Sequence, residues 1–406
     1  MDNKMTVVSQ QLYNQAISRA MTASEAIDFL EREAKMRTLR EKLERFSHGQ
    51  ELKSTLVQGL MQNHANQNKE SVERRVRGWL NNPKNQTLRK KDAIELCFIL
   101  KLSVEEADAL VALISEEGLH WRNPDEIVYI FALKQGMDYS EAQKLNDEMA
   151  GILSGVTESG TPAENSFTPL IRSEVTALRT REELIDYLTG AVSRLGRYHN
   201  NAYRLFMEMM KALENPLPDE GEENAGLFEK EELMREELTI RDILREYLYE
   251  KNVLYAKGLI QADKKKDKKS PRSEEERLVF TVIQEEVSRS WPDETTISKM
   301  KSRKADVTRK VLILLFLATE QEPEDEDEDY ALSKEEIFET LYQCLNDLLL
   351  QCGFMPLDPR SPFDWLILYC ICAVDMFDMN IRMRTVFKEM FGERPPKEEQ
   401  ENDKNK

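Results

Sequence analysis

Ala93-Ile94-Glu95-Leu96-Cys97-Phe98-Ile99-Leu100, followed after two residues by Ser103-Val104-Glu105-Glu106-Ala107-Asp108-Ala109-Leu110-Val111, decides the fold class. The first run is too uniformly apolar for a surface helix and reads as one buried on every side. The second opens with a helix start signal: the Ser103 hydroxyl accepts from the backbone three residues on, and the Glu106 carboxylate reaches back. Ala107, Leu110, Val111 and Ile114 then recur at helical spacing. The same period extends outward in both directions. Leu52, Leu56, Leu60 and Met61 mark one helix, Val72, Val76, Trp79 and Leu80 a second, and Ile127 to Leu133 a buried one behind the turn Arg122-Asn123-Pro124-Asp125. Short connections between such helices make a compact bundle.

Among the 406 residues, 33% are charged, with only 15 Gly and 14 Pro, so the chain is expected to fold as all-α, in two or three domains. Seven segments follow from the pattern: an N-terminal helical segment (1–47), a first unit (48–150), a Gly/Ser/Thr/Pro linker (151–173), a helical middle region (174–262), a basic linker (263–273), a second unit (274–393) with an acidic insert (320–330), and a disordered tail (394–406). From Ser9 to Phe46, Ile27, Leu30, Ala34, Leu39, Leu43 and Phe46 carry one helical pattern. Its apolar face is expected to pack on the neighbouring domain or to make a homodimer.

The second unit repeats the first. Arg74-Arg75-Val76-Arg77-Gly78-Trp79, Thr87-Leu88-Arg89-Lys90-Lys91 and the helix from Ile94 correspond to Ile297-Ser298-Lys299-Met300-Lys301-Ser302-Arg303-Lys304, Val307-Thr308-Arg309-Lys310 and the helix from Leu312. Both then continue through a helix ending in Gly (Gly118, Gly353), a loop with Arg-x-Pro (Arg122 to Pro124, Arg360 to Pro362), and a buried helix. Gly118 and Gly353 are expected at C-caps of positive φ. Glu126 and Asp364 fall in first helical turns, where a carboxylate suits the helix dipole.

These residues resemble the phage-repressor-like (Xre-type) helix-turn-helix family of Gram-positive bacteria. Val72 to Pro83 matches the recognition helix and its turn, followed by the helices from Ala93 and Val104. The resemblance places the partner helix at roughly Asn63 to Lys69, where His64-Ala65-Asn66-Gln67-Asn68 is polar. It implies multi-helix bundles with two diverged helix-turn-helix-like units joined by a helical middle region, and a cytoplasmic bacterial transcription regulator that binds double-stranded DNA.

With Val72, Val76 and Trp79 inward, a step of about 100° per residue turns Arg74, Arg77 and Asn81 outward, where they suit guanine and adenine edges. Lys84, Arg89, Lys90 and Lys91 would neutralise phosphates. In the second unit Ser298, Lys301 and Lys304 take the base-facing role, and Arg303, Arg309 and Lys310 the phosphate role. The net charge of −18 limits any nucleic-acid contact to local patches. A protein-protein adaptor that buries Trp79, Trp121, Trp365 or the N-terminal helix stands as the alternative. The acidic run Glu322 to Asp329 is expected to be a disordered insert, or to fold back on the basic faces and inhibit binding.

No enzyme, cofactor or metal is expected. The four histidines (His48, His64, His120, His199) lack ligand spacing, and no Gly-rich phosphate loop, Gly-x-Ser-x-Gly or His-Glu-x-x-His is present. Cys370 and Cys372 are two helical positions apart, on faces that cannot easily share a metal. Cys97, Cys344 and Cys352 are read as core thiols of a reducing compartment. The N-terminus has no signal-peptide apolar run, and Val311 to Ala318 is too short to span a bilayer, so a cytoplasmic protein with no membrane contact is expected.

Overall fold

The computed structural model describes residues 6–18, 21–64, 66–81, 88–154, 168–191, 194–196, 198–214, 238–248, 281–319, 333–372 and 377–391. Their regular elements are helices; among the described residues an isolated antiparallel bridge between Glu117 and Phe354 is the sole β-type pairing. The basic linker at 263–273, the acidic insert at 320–330 with its inhibitory contact, and the tail at 394–406 lie outside the described residues.

The chain forms two compact units. The inner unit is 37–200 with 349–355, and the terminal unit is 1–36 with 201–348 and 356–406. This division differs from the sequence segments: 1–36 belongs with the C-terminal half, and 37–47 and 174–200 with the first repeat.

In the inner unit, helix starts are set by local chemistry. Thr38 with Glu41, Ser103 with Glu106, Asp138 with Glu141 and Thr180 with Glu183 form reciprocal capping boxes, satisfying N–H groups that a helix leaves unpaired. Leu39–Glu44, Leu52–Asn63, Lys69–Asn81, Lys90–Ile99, Val104–Ser115, Pro124–Lys134 and Tyr139–Leu153 surround a core that includes Leu56, Leu60, Val76, Leu96, Leu110 and Ile127. Gly59 lets two of these helices approach closely, since a Cβ there would meet Ile99 Cγ2 at 2.4 Å. Thr168–Ala177, read as linker in its first half, is a helix whose Ile171 and Val175 join this core. Lys134 Nζ holds the end of that helix through the carbonyls of Thr176 and Leu178.

In the terminal unit, Pro362–Ile371 is buried from Phe363 through Ile371. The chain's first residues cover it. Trp365 Nε1 donates to Leu12 O (2.9 Å), Tyr369 Oη to Met21 O (2.9 Å), and the Phe29 ring packs 5.3 Å from Trp365. The single helical pattern read from Ser9 to Phe46 is three helices, Val7–Ala16, Ala23–Arg32 and Leu39–Glu44. Capping boxes at Thr22 and Thr38 start the last two, and the break between units falls between Met36 and Arg37. The apolar face that the sequence offered for dimerisation or a neighbouring domain is thus divided: the part through Leu30 is buried in the terminal unit, and Leu39, Leu43 and Phe46 join the inner unit's core.

The two segments read as a repeat share hydrogen-bond positions as well as helix order. Asp108 Oδ1 accepts from Leu119 N (2.8 Å), and Asn346 Oδ1 from Leu357 N (2.8 Å). Six residues bridge the next pair in each copy: Glu126 Oε2 accepts from His120 N (2.7 Å) and Asp364 Oδ2 from Asp358 N (2.8 Å). Arg122 Nε and Arg360 Nε both donate to a distant carbonyl, of Arg194 and of Lys35. Pro124 and Pro362 both open the following helix, and Tyr139–Leu153 and Phe377–Phe391 are both 15 residues long. This register corrects one detail. Gly353 has the expected positive φ of 80°, but in the first copy the left-handed residue is Glu116, at φ 64°. Gly118 is needed for space instead: Asp108 folds back onto the loop, and a Cβ at 118 would lie 2.6 Å from its Oδ1.

Candidate nucleic-acid interface

The helix Lys69–Asn81 carries the first candidate face. It follows Leu52–Asn63, so its preceding partner is that earlier helix and not the polar stretch from Asn63 to Lys69. The facing ends of the two helices are both fixed. Asn68 Oδ1 accepts from Glu70 N (2.9 Å) at the new helix's start. On the other side, Asn63 Nδ2 donates to Glu95 Oε1 (2.9 Å), and His64 Nε2 lies 2.8 Å from the same oxygen. Glu95 is buried within the apolar helix Lys90–Ile99. Its role escaped sequence reading, although an acid inside an apolar run is a signal, because burial demands a partner.

The inward residues are Val72, Val76 and Leu80, with Trp79 half-buried and the Arg75 guanidinium 5.0 Å above its ring. Arg74, Arg77 and Asn81 are exposed, as the spacing predicts. Asn81 is not a free reader: its Oδ1 accepts from Arg40 Nη2 (2.6 Å), while Arg40 Nε donates to Leu80 O (3.1 Å). Arg40 thereby caps the helix and joins it to Leu39–Glu44. Lys91 is exposed; Arg89 is exposed and engages Asp92 at 2.9 and 3.2 Å, a contact that holds the guanidinium above its ordinary range. Lys84 lies outside the described residues.

Lys90 points elsewhere. Its Nζ lies 3.0 Å from Glu126 Oε1 and 3.3 Å from Glu117 Oε1, half-buried between them. Burial pushes the Glu126 carboxyl up, against the pull of Lys90 and the His120 N–H. A phosphate role for Lys90 is therefore replaced by an internal ion pair that neutralises a buried acid.

The second candidate face is more depleted. Ser298, Arg303 and Lys304 are exposed, the Arg303 guanidinium lying 4.4 Å over the Tyr203 ring. Lys301 is half-buried and paired with Glu214, and its carbonyl accepts from Tyr203 Oη (3.1 Å). The phosphate roles read for Arg309 and Lys310 fail on burial, since only 3% and 6% of their surfaces are exposed. Arg309 grips Asp364 with both terminal nitrogens at 2.8 Å. Lys310 Nζ donates to the carbonyls of Val287 (3.0 Å) and Arg289 (2.6 Å) and lies 4.6 Å from the Phe363 ring centroid. The two candidate sets belong to different compact units, the Arg74 set to the inner and the Ser298 set to the terminal one.

Cys97, Cys352, Cys370 and Cys372 are buried, whereas Cys344, read as a core thiol, is exposed. Among the described residues, no helix is long and apolar enough to cross a membrane. No family model matches the chain, and neither a curated protein nor a solved structure does.

Proposed function

We propose that the protein is a non-enzymatic DNA-binding regulator of the bacterial cytoplasm, diverged from the Xre-type helix-turn-helix family, and that it reads double-stranded DNA through the helix Lys69–Asn81. The observation that carries this reading is the exposed pair Arg74 and Arg77, one turn apart on a helix whose other face is locked by Val72, Val76 and Leu80. Guanidinium groups so spaced match guanine edges in a major groove. Asn81 and Arg40 then set the helix's angle, and Lys91 is left for phosphate. In the terminal unit, Lys301, Arg309 and Lys310 are already engaged within the chain, which favours the adaptor role there, with protein as its partner.

The test is fluorescence anisotropy of the full chain with mixed-sequence duplex DNA at low and near-physiological salt. Binding should weaken steeply with salt. Arg74→Ala and Arg77→Ala should each cost about 1–3 kcal/mol on a specific site, and Ser298→Ala with Lys304→Ala close to nothing. Absence of binding at low salt would transfer the whole chain to the adaptor reading.

A further inference from the structure

Two histidines that no proposed function uses meet in the inner unit. The His120 ring is stacked on His199, centroids 4.1 Å apart and planes within 15°. His120 is buried, with 7% of its surface exposed. His199 in turn packs 5.3 Å from the Phe354 ring, and a Cβ on Gly353 would lie 3.4 Å from its Cδ2. Residues 353–355 are thus held by the histidine stack, by the Glu117–Phe354 bridge and by the bond from Met355 N to Glu116 O (3.1 Å).

We propose that the His120–His199 stack is an acid-sensitive latch, holding residues 353–355 in the inner unit while the His120 ring is neutral and releasing them when it takes a proton. The surroundings explain the direction. The helix Lys90–Ile99 contributes Lys90, the loop contributes Glu117 and Arg122, and the helix Pro124–Lys134 contributes Glu126. Both carboxylates already answer Lys90, and Arg122 Nε is spent on Arg194 O. A proton on the stack would put a cation against another imidazole, in a site that already holds two cations, away from water.

Burial first, then His199, Lys90 and Arg122, hold the His120 imidazole far below its ordinary range. A histidine so depressed stays neutral when latched and regains a pKa of about 6.5 when released. The latched form therefore binds fewer protons, and its advantage is complete above about pH 6.5 and shrinks as pH falls below it.

Cys352, buried next to Gly353, reports the opening. The full chain is labelled with an aromatic disulfide reagent at about pH 7.5 and about pH 5.5. Each cysteine's rate is read by peptide mass spectrometry and normalised to the denatured chain at the same pH. One proton taken up on release should raise the normalised Cys352 rate roughly tenfold between these values. Cys97, in the core of the same unit, should remain protected, and His120→Gln, which removes the titrating ring, should abolish the pH difference at Cys352. An unchanged Cys352 rate, a Cys97 rate rising in step, or a pH difference that survives in His120→Gln would each overturn the latch.

Discussion

At equivalent places the two copies bury a cation against a carboxylate, and they do so differently. In the terminal unit, Arg309 and Asp364 are both 3% exposed and joined by two bonds of 2.8 Å. In the inner unit, Lys90 and Glu126 retain 18% and 11% exposure, and Lys90 is shared with Glu117. A planar fork suits one fully buried carboxylate, while an ammonium suits two partners at the edge of water. The drier copy is also the one whose helix Glu294–Lys301 has one of its cations, Lys301, engaged by an internal partner. Structural commitment and surface availability are therefore divided between the copies.

The largest test of that contrast is to strand the cation. Asp364→Ala leaves the buried Arg309 charge without its bidentate carboxylate and should cost about 3–5 kcal/mol in chemical denaturation. Glu126→Ala should cost distinctly less, because Lys90 retains Glu117 and some water. Equal losses would mean that burial does not distinguish the copies. Replacing Arg309 and Asp364 together with apolar residues of similar volume should recover most of the loss.

An intermediate effect is expected at Gly59. Gly59→Ala drives a methyl into Ile99 and should cost about 1–3 kcal/mol. Pairing it with Ile99→Ala should remove the clash, measured as a non-additive double-mutant cycle.

The smallest effect comes from exchanging one copy's residue for the other's. Asn346 does for Leu357 what Asp108 does for Leu119, so Asp108→Asn imports the neutral version. Burial raises the Asp108 carboxyl above its ordinary range, against the pull of the Leu119 N–H and Arg172. A carboxyl raised on folding contributes most when protonated, and that contribution is lost as pH rises from about 3.9 through the higher folded value. Asp108→Asn should therefore match or exceed the parent at neutral pH by under about 1 kcal/mol, with the gap closing below pH 4 in thermal melts. A clear loss at neutral pH would show that the charge on Asp108 is needed for its bond to Arg172.

What was legible in the sequence was local. The box at Ser103 and Glu106, the prolines after Arg122 and Arg360, and the buried runs from Ala93 and Phe363 all announce themselves within a few residues. The outward set of Arg74 and Arg77 follows from helical period alone. Arg309 and Lys310 misled because a basic residue at a helix start reads as solvated unless its partner is known, and Asp364 lies 55 residues on. Glu95 was hidden for the same reason, its partners Asn63 and His64 being 32 and 31 residues back. The N-terminal helices gave a correct apolar face, but not its destination.

That destination bears on how the chain is made. Leu12 leaves the ribosome 353 residues before Trp365, whose indole it accepts. At about 5–20 residues per second, the opening helices wait roughly 20–70 s with Leu12, Ala26 and Leu30 uncovered. Residues 37–200 can collapse meanwhile around their own core. These early helices are consequently placed after Pro362–Ile371 has been made, and nascent chains stalled before Pro362 should be the species that chaperones hold.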